Sequence, residues 1–198
     1  MLTRRTTLLL GATAFATFAA GPRAWAQDAT GFVVNLGNQL AAIVNGPGTY
    51  EEKKRRLAPL IENAVDVDGI AQFCMGINWR RATPQQQAEF TRLFHQVLLN
   101  NIGGKLGQFQ GVTFRTTTTS QREGDSVVGT VIQRPNQQSN NVQWIVSTAS
   151  GRPKIIDVQA EGVSLRLTQR NDYSAFMTRN GNNVDALLDA MRRQTGAA

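Results

Sequence analysis

His95 is the only histidine of this 198-residue chain and Cys74 the only cysteine. Any Ser-His-Asp or Cys-His relay would therefore have to run through His95. That residue sits inside a strongly helical segment, and no G-x-S-x-G motif supplies a nucleophile. One histidine with one cysteine excludes multi-histidine metal sites and zinc clusters. P-loop and G-x-G-x-x-G patterns are also missing. Asp157 and Glu161 remain as a carboxylate pair. They allow acid–base work on one reading, and hydrogen bonding at a sheet edge or capping of the next helix on the other; the second is preferred. Cys74 lies in the apolar setting Phe73-Cys74-Met75 and reads as a buried core thiol rather than a reactive one. No catalytic residue, metal ligand or cofactor site is expected.

The first 26 residues give an address. Arg4 and Arg5 precede the apolar run Leu8–Ala20, and Ala24-Trp25-Ala26 offers the small-x-small pattern of a signal-peptidase site. The run is too short for a permanent membrane helix. Export with cleavage after Ala26 is expected, by the general secretory route or, given the paired arginines, the twin-arginine route. One domain, residues 27–198, remains. Its formal charge drops from +7 to +4 because Arg4, Arg5 and Arg23 leave. That mild excess suits anionic lipid surfaces or acidic partners but does not argue for nucleic acid.

Helical patterns dominate the first half. Phe32, Leu36, Leu40 and Ile43 recur at helical spacing up to Gly46-Pro47-Gly48. Thr49 and Glu52 form a capping box for a second helix, in which Pro59 is expected to introduce a kink. Its run Lys53-Lys54-Arg55-Arg56 reads as a solvated face, with a docking patch for anionic head groups or an acidic partner as the alternative. Asp66 or Asp68 caps a short third helix ending at Gly76. Thr83-Pro84-Gln85-Gln86 opens a fourth, with Phe90, Leu93, Phe94, Val97, Leu98, Ile102 and Leu106 on one stripe. Gly103, Gly104 and Gly107 remove side chains near its end, which either lets another element or an acyl chain approach closely or simply lets the helix fray.

After Gly111 four strand-like runs are separated by turns: Val112–Ser120, Ser126–Arg134, Val142–Val146 and Lys154–Ala160. Helical pattern returns beyond Gly162, and Asn182 or Asn183 caps a last helix ending in Arg192-Arg193. Helices, then a meander, then helices argue for an α+β fold: a curved antiparallel sheet of about four strands packed against several helices.

Three stretches carry a resemblance. They are Asp66-Val67-Asp68-Gly69-Ile70 with Gly76; Trp79-Arg80-Arg81-Ala82-Thr83-Pro84-Gln85-Gln86; and Ile156-Asp157-Val158-Gln159-Ala160-Glu161-Gly162-Val163-Ser164-Leu165. With Asn171-Asp172-Tyr173, Gly181 and Leu187-Leu188 they occur in the order seen in the MlaC (toluene-tolerance, Ttg2-type) family of periplasmic phospholipid-binding proteins. The chain resembles that family from roughly Gln27 to Arg193. The resemblance implies a soluble monomeric carrier whose apolar pocket, between sheet and helices, holds glycerophospholipid acyl chains. It implies exchange with an outer-membrane lipoprotein–porin complex and with an inner-membrane ABC transporter bearing an MCE-domain protein, which maintains outer-membrane lipid asymmetry. A related branch, the HpnM type encoded with hopanoid genes, is left open, with a hopanoid as cargo.

Burial of an acyl chain yields about 0.8 kcal/mol per CH₂ without any catalytic group. The expected wall is Leu98, Ile102, Leu106 and Phe109 from the fourth helix and its end, Trp144 and Val146 from the sheet, and Val163, Leu167 and Phe176 from the closing segment. Each is also a candidate for plain core. Two other functions compete: a small exported enzyme with a helix-plus-sheet cone, and a non-catalytic adaptor with a filled core.

Overall fold

The computed structural model describes residues 22–196, with side chains from Asp28 onward and excepting Gly107. The expected export segment up to residue 21 and the side chains of the expected cleavage site lie outside the described residues. Six helices and five strands follow in order: α1 (Pro22–Asn45), α2 (Tyr50–Ala64), α3 (Val67–Met75), α4 (Pro84–Gly104), β1 (Thr113–Arg122), β2 (Asp125–Gln133), β3 (Asn140–Ser147), β4 (Lys154–Ala160), β5 (Val163–Ser164), α5 (Leu165–Arg179) and α6 (Val184–Thr195). Short 3₁₀ turns, Gly76–Arg80 and Leu106–Phe109, follow α3 and α4. The α+β meander expected from the sequence is present, extended by the two-residue β5.

Local chemistry sets the helix starts. Thr49 Oγ1 accepts from the Glu52 amide while the Glu52 carboxylate accepts from the Thr49 amide, a complete capping box. Thr83 and Gln86 do the same for α4, with Pro84 in its first turn. Asp66 caps α3, Ser164 caps α5 and Asn183 caps α6. Pro59 lies inside α2, whose helical span is uninterrupted from Tyr50 to Ala64.

The strands run antiparallel in the order β1-β2-β3-β4-β5. Glu161 and Gly162 both take positive φ, 49° and 79°, and turn the chain from β4 into β5. The junction between α2 and α3 also joins the sheet: the Asp66 amide donates to the Ile155 carbonyl at 2.9 Å. Lys154 Nζ donates to the Glu62 carbonyl at 2.8 Å, near the C-terminus of α2.

Apolar packing forms three clusters. Helices α3 to α6 share one, built on Phe90, Leu93, Met177, Leu188 and Met191. Within it Phe90 and Tyr173 meet edge to face at 5.6 Å between centroids. A second lies between α1 and the sheet, where Ala29, Val33 and Leu36 meet Val128, Val146 and Ile155. A third joins the end of α1 to α2 and the turn after α4 through Ile43, Val44, Leu57 and Leu106. Leu40 and Leu60 pack against both the second and the third.

Phe90 is fully buried. Phe90→Ala is expected to lower the unfolding free energy by about 3–5 kcal/mol. Thr83→Ala, which removes only a cap, should cost about 1 kcal/mol. Urea denaturation of both variants checks the ranking.

Candidate functional site

The groups able to do chemistry are occupied by structure. Asp157 is buried, and its Oδ1 accepts from the amides of Val158 at 2.8 Å and Arg166 at 3.2 Å. Its Oδ2 accepts from Ser164 Oγ at 2.6 Å and lies 3.7 Å from Arg166 Nε. The carboxylate thus fastens β4 to the first turn of α5 and supports the Ser164 cap. Glu161 Oε1 accepts from the Asn141 amide at 2.6 Å, at the start of β3. These contacts match the capping and sheet-edge reading of the pair.

His95 Nε2 lies 2.8 Å from Asp68 Oδ1, tying α4 to α3. No hydroxyl or thiol is hydrogen-bonded to His95 among the described residues. Cys74 Sγ donates to the Arg166 carbonyl at 3.4 Å. Burial pushes its thiol up to about 12, with Arg166 and Arg170 opposing only in part. Among the described residues no three His, Cys, Asp or Glu side chains gather where a metal could sit. The basic run of α2 divides. Lys53 Nζ donates to the Val44 carbonyl at 2.7 Å and Lys54 Nζ to Asn100 Oδ1 at 2.6 Å, while Arg55 and Arg56 are exposed.

What remains is an apolar interior roofed by α1. Under it, Trp144 and Val146 stand on the same face of β3 and join the α1–sheet cluster. The Trp144 indole N–H donates to Thr130 Oγ1 at 2.9 Å, so the ring is held with its polar atom satisfied. Leu106, Ile102 and Phe109 join the neighbouring cluster at the other end of α1. Arg134 lies over the Phe109 ring at 5.7 Å. Several apolar side chains around these clusters are only partly buried: Phe32, Leu40, Leu60, Ile102, Phe109, Trp144 and Val158.

Five of the nine expected wall residues are thus brought together beneath α1. Leu98 and Phe176 pack instead against the helical cluster. Val163 and Leu167 stand on the surface, 57% and 48% exposed. The Ser164 and Asp157 contacts fix the start of α5 on the sheet edge and leave these two side chains in solvent. The expected wall included no residue of α1, although its apolar positions Phe32, Leu36 and Leu40 at helical spacing were the available signal for its place over this interior.

Two glycines shape the region. At Gly37 a Cβ would fall 2.2 Å from Phe114 Cζ, so only a glycine lets the β1 ring lie against α1. At Gly103 a Cβ would meet Tyr50 Oη at 3.0 Å, so this glycine admits α2, while Gly104 faces open space. The surroundings of Gly107 lie outside the described residues.

The family model for the MlaC protein matches residues 36–193, most of the chain. The chain belongs to the MlaC protein family. It is 28% identical over 152 residues to toluene tolerance protein Ttg2D of Pseudomonas putida, covering 75% of this chain and 68% of that protein. Its fold is similar to that of a phospholipid-binding protein from Ralstonia solanacearum, solved in complex with a phospholipid. That likeness has a TM-score of 0.76 at 20% identity and covers 86% of this chain and 98% of the other. No helix among the described residues is long and apolar enough to cross a membrane.

Because the Cys74 thiol is raised by burial, it should stay protonated and resist a disulfide reagent at pH 8 until urea opens the fold. Rapid labelling of the folded protein would show an accessible thiolate. The sign for stability follows: above pH 9 the unfolded thiol ionises and the folded one does not, so stability falls as pH rises toward 12.

Proposed function

We propose that the mature protein, exported and cleaved after Ala26, carries a glycerophospholipid in the periplasm with its acyl chains in the interior beneath α1. The observation that supports this most is the grouping of partly buried apolar side chains between α1, α2, the end of α4 and the sheet. A cargo interior keeps apolar walls that give way to a chain. Family membership and the lipid-bound relative of similar fold support the same reading. The titratable groups described above hold the frame together, which accords with a non-enzymatic role.

Binding of this kind needs no energy source at the protein. Each buried CH₂ is worth about 0.8 kcal/mol whether a bilayer or a protein shields it. Direction then comes from differences in affinity at the two ends of the route. We place those ends at an outer-membrane lipoprotein–porin complex and an inner-membrane ABC transporter with an MCE-domain protein. Transfer between them would maintain outer-membrane lipid asymmetry.

Native mass spectrometry of residues 27–198, purified gently from a bacterial envelope, is expected to show one phospholipid per chain. Ile102→Arg, which sets a charge at the partly buried end of α4, should remain folded and lose most of that loading. A protein empty as purified would favour the adaptor, and a co-purifying hopanoid would change the cargo. Full loading of a folded Ile102→Arg variant would remove Ile102 from the wall.

A further inference from the structure

On the helical side of the molecule, away from the roof of α1, arginines gather on one aromatic ring. Arg166 and Arg170 lie over Phe73 with their guanidinium carbons 4.6 and 4.8 Å from its centroid. Arg166 also pairs with the buried Asp157 at 3.7 Å. Arg170 and the nearby Arg80 have no carboxylate partner among the described residues. The fork of Arg170 rests against the backbone at Gly76: a Cβ there would come within 3.3 Å of its Nε and Nη2. Gly76 has φ 59°, so a side chain at this position would be strained as well as crowded.

These groups border a surface cleft of about 370 Å³, lined by Phe73, Ile77, Trp79, Arg80 and Arg170 among others and by no acid. Ile77 is 63% exposed on its wall. Leu165 and Leu167, also exposed, flank Arg166 in the first turn of α5. With Val163, four of the five large exposed apolar side chains among the described residues are on the cleft or on the segment beside it.

We propose that this cleft is a docking surface for a protein segment bearing acidic side chains next to apolar ones. Two guanidinium groups without acids favour carboxylates, which accept their paired N–H donors in a fixed direction. Arginine with Trp and Phe in a concave site is the composition of an interface centre. A bilayer surface is disfavoured because the arginines are held on Phe73 and Gly76 inside a recess, whereas flat, fluid head groups suit mobile, protruding cations. The cleft lies on the helical cluster, to which Phe73 belongs, so a partner can be engaged while cargo stays beneath α1.

The test places the photo-crosslinker benzoylphenylalanine at Ile77 of the full chain in cells, with the crosslinked peptide mapped by mass spectrometry. The expected product is a protein segment with Asp or Glu within a few residues of the crosslink. Arg80→Glu with Arg170→Glu should reduce it about tenfold, near 1.4 kcal/mol, and Lys in place of the partner's acid should restore it. Arg80→Gln with Arg170→Gln gives the same direction should charge reversal disturb folding. Lipid loading by native mass spectrometry should be unchanged in these variants. Crosslinks to lipid, to a segment without acids, or to nothing would overturn the proposal. So would a crosslink indifferent to both arginines, or loss of lipid loading on their replacement. An empty but normally crosslinked protein would instead count against the carrier reading alone.

Discussion

The apolar face that the β-meander presents to α1 must be covered, and the way α1 covers it governs the rest of the structure. Ala29, Val33 and Leu36 supply the contact, but the register comes from clasps at the edges. Thr30 and Thr119 share a hydroxyl hydrogen bond of 2.8 Å near one end. At the other, Asn45 accepts from the Gly111 amide at 2.7 Å and donates to the Val112 carbonyl at 3.3 Å. Phe114 lies in the notch at Gly37 between them. These polar clasps and the aromatic notch locate the helix, and Ala29, Val33 and Leu36 share one buried cluster with Val128, Val146 and Ile155 of the sheet. Around that cluster Phe32, Leu40, Leu60 and Trp144 are only partly buried.

Against that roof stands the helical half. Helices α3 to α6 bury Phe90, Leu93, Met177 and Leu188 almost completely, and Asp157 bolts α5 to β4. Lys154 and the Asp66 amide join the α2–α3 junction to the same strand. The polar chemistry of the chain is spent on these joints. The proposed docking cleft thus lies on the helical half, and the proposed cargo interior lies under α1.

Features fixed by local interactions were readable from the residues. The boxes Thr49/Glu52 and Thr83/Gln86 span four residues each and formed as expected. The strands lay between turns marked by Gly124, Gly151 and Gly162, all at positive φ. Features fixed by long-range packing were not. Leu98 and Ile102 are one helical turn apart on α4, yet the first joins the helical cluster and the second the cluster at the end of α1. A periodic stripe says which face is apolar and is silent on which neighbour each turn meets. The same limit applies to Val163 and Leu167, whose exposure follows from how Ser164 and Asp157 seat α5, and to the contact between Gly37 and Phe114, 77 positions apart in the chain.

The central claim is that acyl chains lie against the sheet beneath α1. In residues 27–198, replacing Trp79 by Phe leaves Trp144 as the sole tryptophan. That protein, loaded with a phospholipid brominated midway along its acyl chains, should show Trp144 fluorescence strongly quenched relative to the same lipid without bromine. Equal emission from protein shown to be loaded with both lipids would contradict the claim.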